Sequence, residues 1–207
     1  NLSVIIPSVY GAEINDLGPM DVVVGAETPV AFPFENTGND LTSYRLRVID
    51  TPDGWDVKFN GTDEFITNLS AEMQDFNSGG AQHIQNVVML VTSDADARAN
   101  SVVPVTVTIE ELNTGEFITE YDMLFRVSEL NNATLTNEQT QPITVGPTDT
   151  NQFTTLKITN TGNTPTTFYV YVETNENAEV LFELDSVSSM VIAAQRYEII
   201  RVNVIPT

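Results

Sequence analysis

Apolar and polar residues alternate along most of this chain. Tyr44, Leu46 and Val48 fall on one side of a run, with Arg45 and Arg47 on the other. Val103, Val105, Val107 and Ile109 repeat the pattern against Thr106 and Thr108. A period of two puts successive side chains on opposite faces of an extended chain, so these runs predict strands with one face buried. No stretch of ten or more residues carries a helical period, and Ala95 to Ala99 allow at most one short turn. The expected class is all-β.

The alternation repeats in register. Asn36-Thr37-Gly38-Asn39 returns as Asn160-Thr161-Gly162-Asn163, 124 residues on. At the same offset, Tyr44, Leu46 and Val48 become Phe168, Val170 and Val172. Val24-Gly25 and Val145-Gly146 each lead into the strand that ends at the motif. Val87, Met89 and Val91 become Ile200, Val202 and Val204, but at an offset of 113. The first copy therefore holds about ten extra residues, expected in the loop around Ser70 to Gly80. Chance supplies one four-residue match but not flanking alternation in register, so the chain reads as two tandem domains, 1–120 and 121–207. Both NTGN segments read as turns between strands, because Asn and Gly tolerate the left-handed backbone of a tight turn. No Gly/Ser-rich or Pro-rich spacer separates the copies. Strand 102–110 runs through Asn113-Thr114-Gly115 into strand 116–127, read as the first strand of the second copy. A strand shared in this way predicts a stiff, extended pair.

These segments resemble a known family. "FENTGN", "ITNTGN", the "PDGW" at Pro52 to Trp55 and the "VVMLVTSDADA" at Val87 to Ala97 are similar to immunoglobulin-like repeats of bacterial and archaeal surface proteins. Those include CARDB-like repeats and the Ig-like domains associated with carbohydrate-binding and galactosidase modules. The resemblance spans both copies and implies two tandem immunoglobulin-like β-sandwiches, with almost nothing implied about ligand. The second copy departs from the pattern: it has no Trp, and Glu179 stands near the place of Trp55.

Charge narrows the partners. The chain has 8 Lys plus Arg against 29 Asp plus Glu, a formal net charge of −21. Such a surface repels nucleic acid and anionic lipid. The acids are scattered rather than blocked, which favours adaptation to sea water or brine over a cation-binding surface. There is no Cys, and His83 is the only His. Thiol nucleophiles, disulfides, Cys-based zinc sites and multi-histidine clusters are thereby excluded. No apolar run approaches the ~20 residues that cross a bilayer as a helix. A disulfide-free chain of this kind points to an extracellular or cell-surface setting in a prokaryote. The start at Asn1, without Met or a signal peptide, suggests a processed chain or a piece of a larger one.

Candidate chemistry is sparse. Trp55 is either a sugar-stacking platform or a core residue after the PDG turn, and core is the commoner outcome. Tyr169 and Tyr171, opposite Phe168 and Val170, are either an aromatic patch for sugar or protein or ordinary sheet surface. His83 lacks a second His or Cys to share a metal. No nucleophile elbow marks a serine, and paired acids carry no signal in so acidic a chain. Calcium is the one ion worth placing. Asp50, Asp53 and Asp56 crowd one loop, Asp94 and Asp96 another, and Asn39-Asp40 a third, none with EF-hand spacing. Acids and amides there equally serve to form turns. Sequons stand at Asn1, Asn60, Asn68 and Asn132, and the last three are the glycosylation candidates.

The copies also differ by an absence. After the strand ending at Val91, the first copy has strand 102–110. The second stops at Ile205-Pro206-Thr207, so it lacks its final strand. Four side chains such as Val103, Val105, Val107 and Ile109 are worth roughly 6–10 kcal/mol on burial, more than a marginally stable domain can forgo. The head of the chain supplies a candidate: Leu2, Val4 and Ile6 alternate against Ser3 and Ile5. A head that fills the tail of the next copy is donor-strand β-augmentation, and a contact of this heterologous kind propagates into filaments. Two other accounts stand beside it. Residues 2–7 align with Met123, Phe125 and Val127 and read equally as the first strand of the first copy. The chain also reads as one cut from a longer array. The expectation is a non-enzymatic subunit of an extracellular filament or coat, partnered by copies of itself. The alternative is a sugar- or protein-binding module of a longer surface protein. Brine adaptation predicts that the thermal midpoint of unfolding rises from low to molar salt; a flat midpoint overturns it.

Overall fold

The computed structural model describes residues 3, 5–15, 18–71, 82–139, 141–144, 146, 148, 152–171, 173, 180–184 and 189–206. Among them are fifteen strands and no helix. They fall into two compact units, Asn1–Ser128 and Glu129–Thr207.

Unit 1 is a sandwich of two sheets. Its strands are β1 (Ala12–Ile14), β2 (Met20–Val22), β3 (Glu27–Asn36), β4 (Thr42–Asp50), β5 (Asp56–Lys58), β6 (Glu64–Leu69), β7 (Ile84–Thr92), β8 (Val102–Glu111) and β9 (Phe117–Val127). One sheet has the order β1-β3-β7-β5, the other β2-β9-β8-β4-β6. The chain pairs antiparallel with β3 through β1, then crosses to lie parallel to β9 through β2, Met20 opposite Phe125. This is an immunoglobulin-like arrangement. The alternation seen in sequence decides which side chains enter. Val30, Phe32 and Phe34 of β3, Tyr44 and Leu46 of β4, Val87, Met89 and Val91 of β7, and Val105, Val107 and Ile109 of β8 form one core. Phe34 meets Tyr44 edge-on at 5.5 Å. On the outer face Arg45 and Arg47 both reach Glu64, at 3.3 and 3.4 Å.

Strand β9 corrects the boundary drawn at residue 120. It pairs with β8 on one side and β2 on the other, and Met123, Phe125 and Val127 are buried in the core of unit 1. It closes unit 1 instead of opening unit 2 or bridging the two. Asn113-Thr114-Gly115, expected to lead between domains, is the turn of the β8–β9 hairpin, with Gly115 at φ 72°.

Unit 2 repeats only part of this plan. Its strands are β10 (Ala133–Asn137), β11 (Gln152–Asn160), β12 (Thr166–Tyr169), β13 (Val180–Leu184), β14 (Ser189–Ile192) and β15 (Tyr197–Pro206). The sheet β10-β11-β15-β13 matches β1-β3-β7-β5 strand for strand. The opposite sheet holds only β12 and β14, the counterparts of β4 and β6. Among the described residues nothing corresponds to β8 or β9. Two strands are absent, not the single one counted from sequence, because β9 had been assigned to the second copy.

The NTGN motif explains why the two halves align. Asn36 is fully buried at the end of β3. Its Nδ2 donates to the carbonyls of Asp40 and of Leu69 in the opposite sheet, at 2.9 and 3.1 Å. Its Oδ1 accepts the Gly38 N–H at 2.8 Å. Asn160 makes the same bonds, to Thr164, Ile192 and Gly162. The main-chain N–H of Asn36 donates to His83, that of Asn160 to Arg196. Leu69 and Ile192 thus correspond, as do His83 and Arg196. The ten-residue difference lies between Leu69 and His83, within a loop whose residues 72–81 lie outside the described set.

The motif glycines serve close approach, not the left-handed backbone expected of them. Neither Gly38 nor Gly162 is among the residues with positive φ. A Cβ on Gly38 would stand 2.4 Å from the Val9 carbonyl oxygen, and one on Gly162 would stand 2.1 Å from that of Leu130. Gly38→Ala is therefore expected to destabilise unit 1 by about 1–3 kcal/mol, the usual cost of overpacking, read as a fall in the denaturant midpoint. An unchanged midpoint would show that the leading strand is not held there.

Candidate functional site

The uncovered face of unit 2 stands out against its covered counterpart. Ile14 faces Phe34 in the β1–β3 ladder, and Leu135 faces Ile158 in the β10–β11 ladder. The positions are equivalent, yet Ile14 is 3% exposed and Leu135 60%. Tyr44 and Leu46 are fully buried, whereas Phe168 and Val170 are only partly so. In unit 1 these places lie beneath β8 and β9. In unit 2 they border an open groove of about 260 Å³ lined by Ala133, Leu135, Ile158, Phe168 and Val170, with Tyr169 and Tyr171 at its side. One edge of β12 pairs with β14. The other, where β4 holds β8, carries no strand among the described residues.

The covering hairpin of unit 1 is fixed by a buried carboxylate. Glu111, at the end of β8, has no exposed surface. It accepts hydrogen bonds from the hydroxyl of Thr42 on β4, from the main chain and side chain of Asn113, and from the N–H and hydroxyl of Thr114. Burial pushes its carboxyl up, but these bonds to the charged form outweigh burial and hold it at about 2. Nearby Tyr44 is pushed up to about 12, chiefly by burial. Its one proton is shared between the Gly11 carbonyl and Asn36 Oδ1, each 2.7 Å away.

The other sequence candidates disperse. Asp50 and Asp56 border a small polar hollow with Asp63, but Asp53 does not line it. Asp56 is held by Lys58 at 2.8 Å. No group of three acids or histidines among the described residues is placed to hold a metal. Asp94 builds a turn, its Oδ1 accepting the Asp96 N–H while its carbonyl accepts that of Ala97. Asp40 accepts from the Ser8 hydroxyl and the Leu41 N–H. Trp55 packs against the core of unit 1 after the PDG turn, where Gly54 has φ 80°. His83 lies 3.9 Å from Glu35. Asn60, Asn68 and Asn132 are all exposed, although Asn132 is partly engaged: its carbonyl accepts the Thr161 N–H. Of the assembly candidates, Leu2 and Val4 lie outside the described residues, as does Asn1. Ile6 is 77% exposed.

Sequence reasoning missed a second feature of unit 2. On the outer face of β11 and β15, Lys157 sits 4.4 Å over the ring of Tyr197 and Arg201 sits 4.1 Å over that of Phe153. The signal was present as alternation of aromatic and basic residues, but the pairing crosses strands and needs the register to be seen. Tyr169 and Tyr171 are each 76% exposed.

No family model matches the chain, and no curated protein does. Among solved structures it is similar to a protein of unknown function from Porphyromonas gingivalis W83. That match has 10% identity and a TM-score of 0.37, covering 94% of this chain and 83% of that one. A likeness this distant leaves function to the site itself.

The Glu111 cluster sets an acid limit for unit 1. Its folded-state pKa lies below the ordinary value of 4.5, so the stability it contributes is present above about that pH. That stability is lost as pH falls towards about 2. Glu111→Gln should cost about 2 kcal/mol at neutral pH, in the range for hydrogen bonds to a charged group. The cost should shrink as pH falls through that window, measured by urea unfolding. A cost independent of pH would mean that the charge is not what the cluster holds.

Proposed function

We propose that the chain is a non-enzymatic structural subunit of an extracellular filament or cell-surface coat, in which copies join head to tail. The observation that carries this reading is the half-built second sheet of unit 2. An unpaired strand edge beside an apolar groove is a template for another strand. A contact between a groove on one end of a chain and a strand at the other is heterologous, and such contacts generate filaments when they do not close into rings. The resemblance to prokaryotic surface repeats supports the same setting, and the strong negative charge suits salt water, where self-repulsion is screened.

A second reading has its own observation. Exposed Tyr169 and Tyr171, with the cation–aromatic pairs Lys157–Tyr197 and Arg201–Phe153, suit a module that binds sugar or protein through flat rings. Electron microscopy of the purified chain in molar salt separates the two. The structural reading expects regular filaments or sheets at high protein concentration. Dispersed single particles that bind immobilised polysaccharide, with binding lost in Tyr169→Ala/Tyr171→Ala, would replace it with the second.

A further inference from the structure

We propose that residues 2–7 of a second copy of the chain dock as a strand on the uncovered face of unit 2, beside β12 and over Leu135, Ile158, Phe168 and Val170. This deepens the head-to-tail reading and rests on it. The occupant is argued from the register of the repeat. In unit 1 the second Asn of the motif clasps the segment ahead of the first strand: Asn39 Oδ1 accepts the Val9 N–H at 2.7 Å, and the Asn39 N–H donates to the Val9 carbonyl at 3.0 Å. In unit 2 Asn163 does the same to Leu130, at 2.8 and 3.1 Å. Thr37 N–H donates to the Gly11 carbonyl, and Thr161 N–H to that of Asn132. Ala12 lies opposite Asn36, and Ala133 opposite Asn160.

Each of these pairs is 121 residues apart, so the correspondence extends upstream without a gap. It sets Leu2, Val4 and Ile6 on Met123, Phe125 and Val127. Those three residues are the buried inner face of β9, the closing strand of unit 1. The head of the chain therefore has the pattern of a closing strand. It stands ahead of a unit whose closing position is already filled by β9. The alignment that read residues 2–7 as an opening strand takes the other sense once β9 is seen to close a unit.

Two further facts fit. Ile5 and Ile6 are 87% and 77% exposed, although both are aliphatic. Asn39 Nδ2 also donates to the Pro7 carbonyl at 3.0 Å, so the clasp begins where the apolar segment ends. Proline, with no N–H to give, is a suitable end for an added strand. Unit 2 offers the reciprocal features, an unpaired β12 edge and a groove exposing the counterpart of Ile14.

The test uses the full chain in two variants. Val4→Asp places a carboxylate in the donor; Leu135→Asp places one in the acceptor, at a position exposed enough that unit 2 need not unfold. Sedimentation velocity in molar salt should show wild-type oligomers that lengthen with concentration. Each variant alone should stay monomeric. Their equimolar mixture should give a heterodimer that grows no further, because one good head and one good groove remain. Oligomers that persist in Val4→Asp would overturn head donation while leaving the structural reading in place. A wild-type chain that is monomeric at all concentrations and forms no filaments would overturn both. A mixture that forms no heterodimer would also overturn the proposal.

Discussion

A single buried amide sets the geometry on which both units depend. Asn36 cannot leave its polar atoms unpaired out of water, since an unsatisfied buried amide costs several kcal/mol. Its partners come from three directions: Leu69 in the opposite sheet, Asp40 and Gly38 in its own turn, and Tyr44 from β4. Satisfying all of them fixes the spacing of the two sheets at that point and the path of the turn. Asn160 repeats the arrangement with Phe168 in place of the tyrosine, so only the shared hydroxyl proton is lost. The neighbouring glycine admits the leading segment to within contact of the turn, and the second asparagine then captures its main chain. Four residues thereby decide where a sandwich begins, how far apart its layers lie, and which residue faces which.

That economy is why so much was legible beforehand. The period of two depends only on which face is buried, so strands such as β4, β7 and β8 could be read directly from Tyr44, Val87 or Val105. The motif is local, so its return was visible too, and the offsets of 124 and 113 fall where the hydrogen bonds of Asn36 and Asn160 place them. What escaped was partnership. Met123, Phe125 and Val127 alternate in the same way whether their strand closes one unit or opens the next. Only the ladders to β8 and β2 decide it, and those contacts are distant in sequence. The glycines were given the right place and the wrong reason, because turn propensity and close approach favour the same residue. The clustered aspartates failed as a calcium site for a related reason. Nearness in sequence put Asp50, Asp53 and Asp56 together, but Asp56 turned to Lys58 and Asp53 lies apart from the hollow the others border.

Edge chemistry gives the uncovered face its meaning. Sheets that must not meet others are blunted by short strands and by charge. Unit 1 follows this rule at all four edges: β1, β2 and β5 are three residues long and carry Glu13, Asp21, and Asp56 with Lys58, while β6 carries Glu64. The open edge of unit 2 does not. Thr166 through Tyr171 contains no charged residue, in a chain with 29 acids. Leu2 through Pro7 contains none either. Two copies each bearing a net charge of −21 repel at a distance, so any stable contact between them has to be made where that repulsion is least and in salt that screens the rest. The two apolar, uncharged segments lie at opposite ends of the sequence, and one has the closing-strand pattern that the other lacks. A chain built to remain solitary would need acid or lysine on that edge, as it has on every edge of unit 1. Leaving the edge neutral costs solubility, and it is coherent only if the edge is occupied in the working assembly.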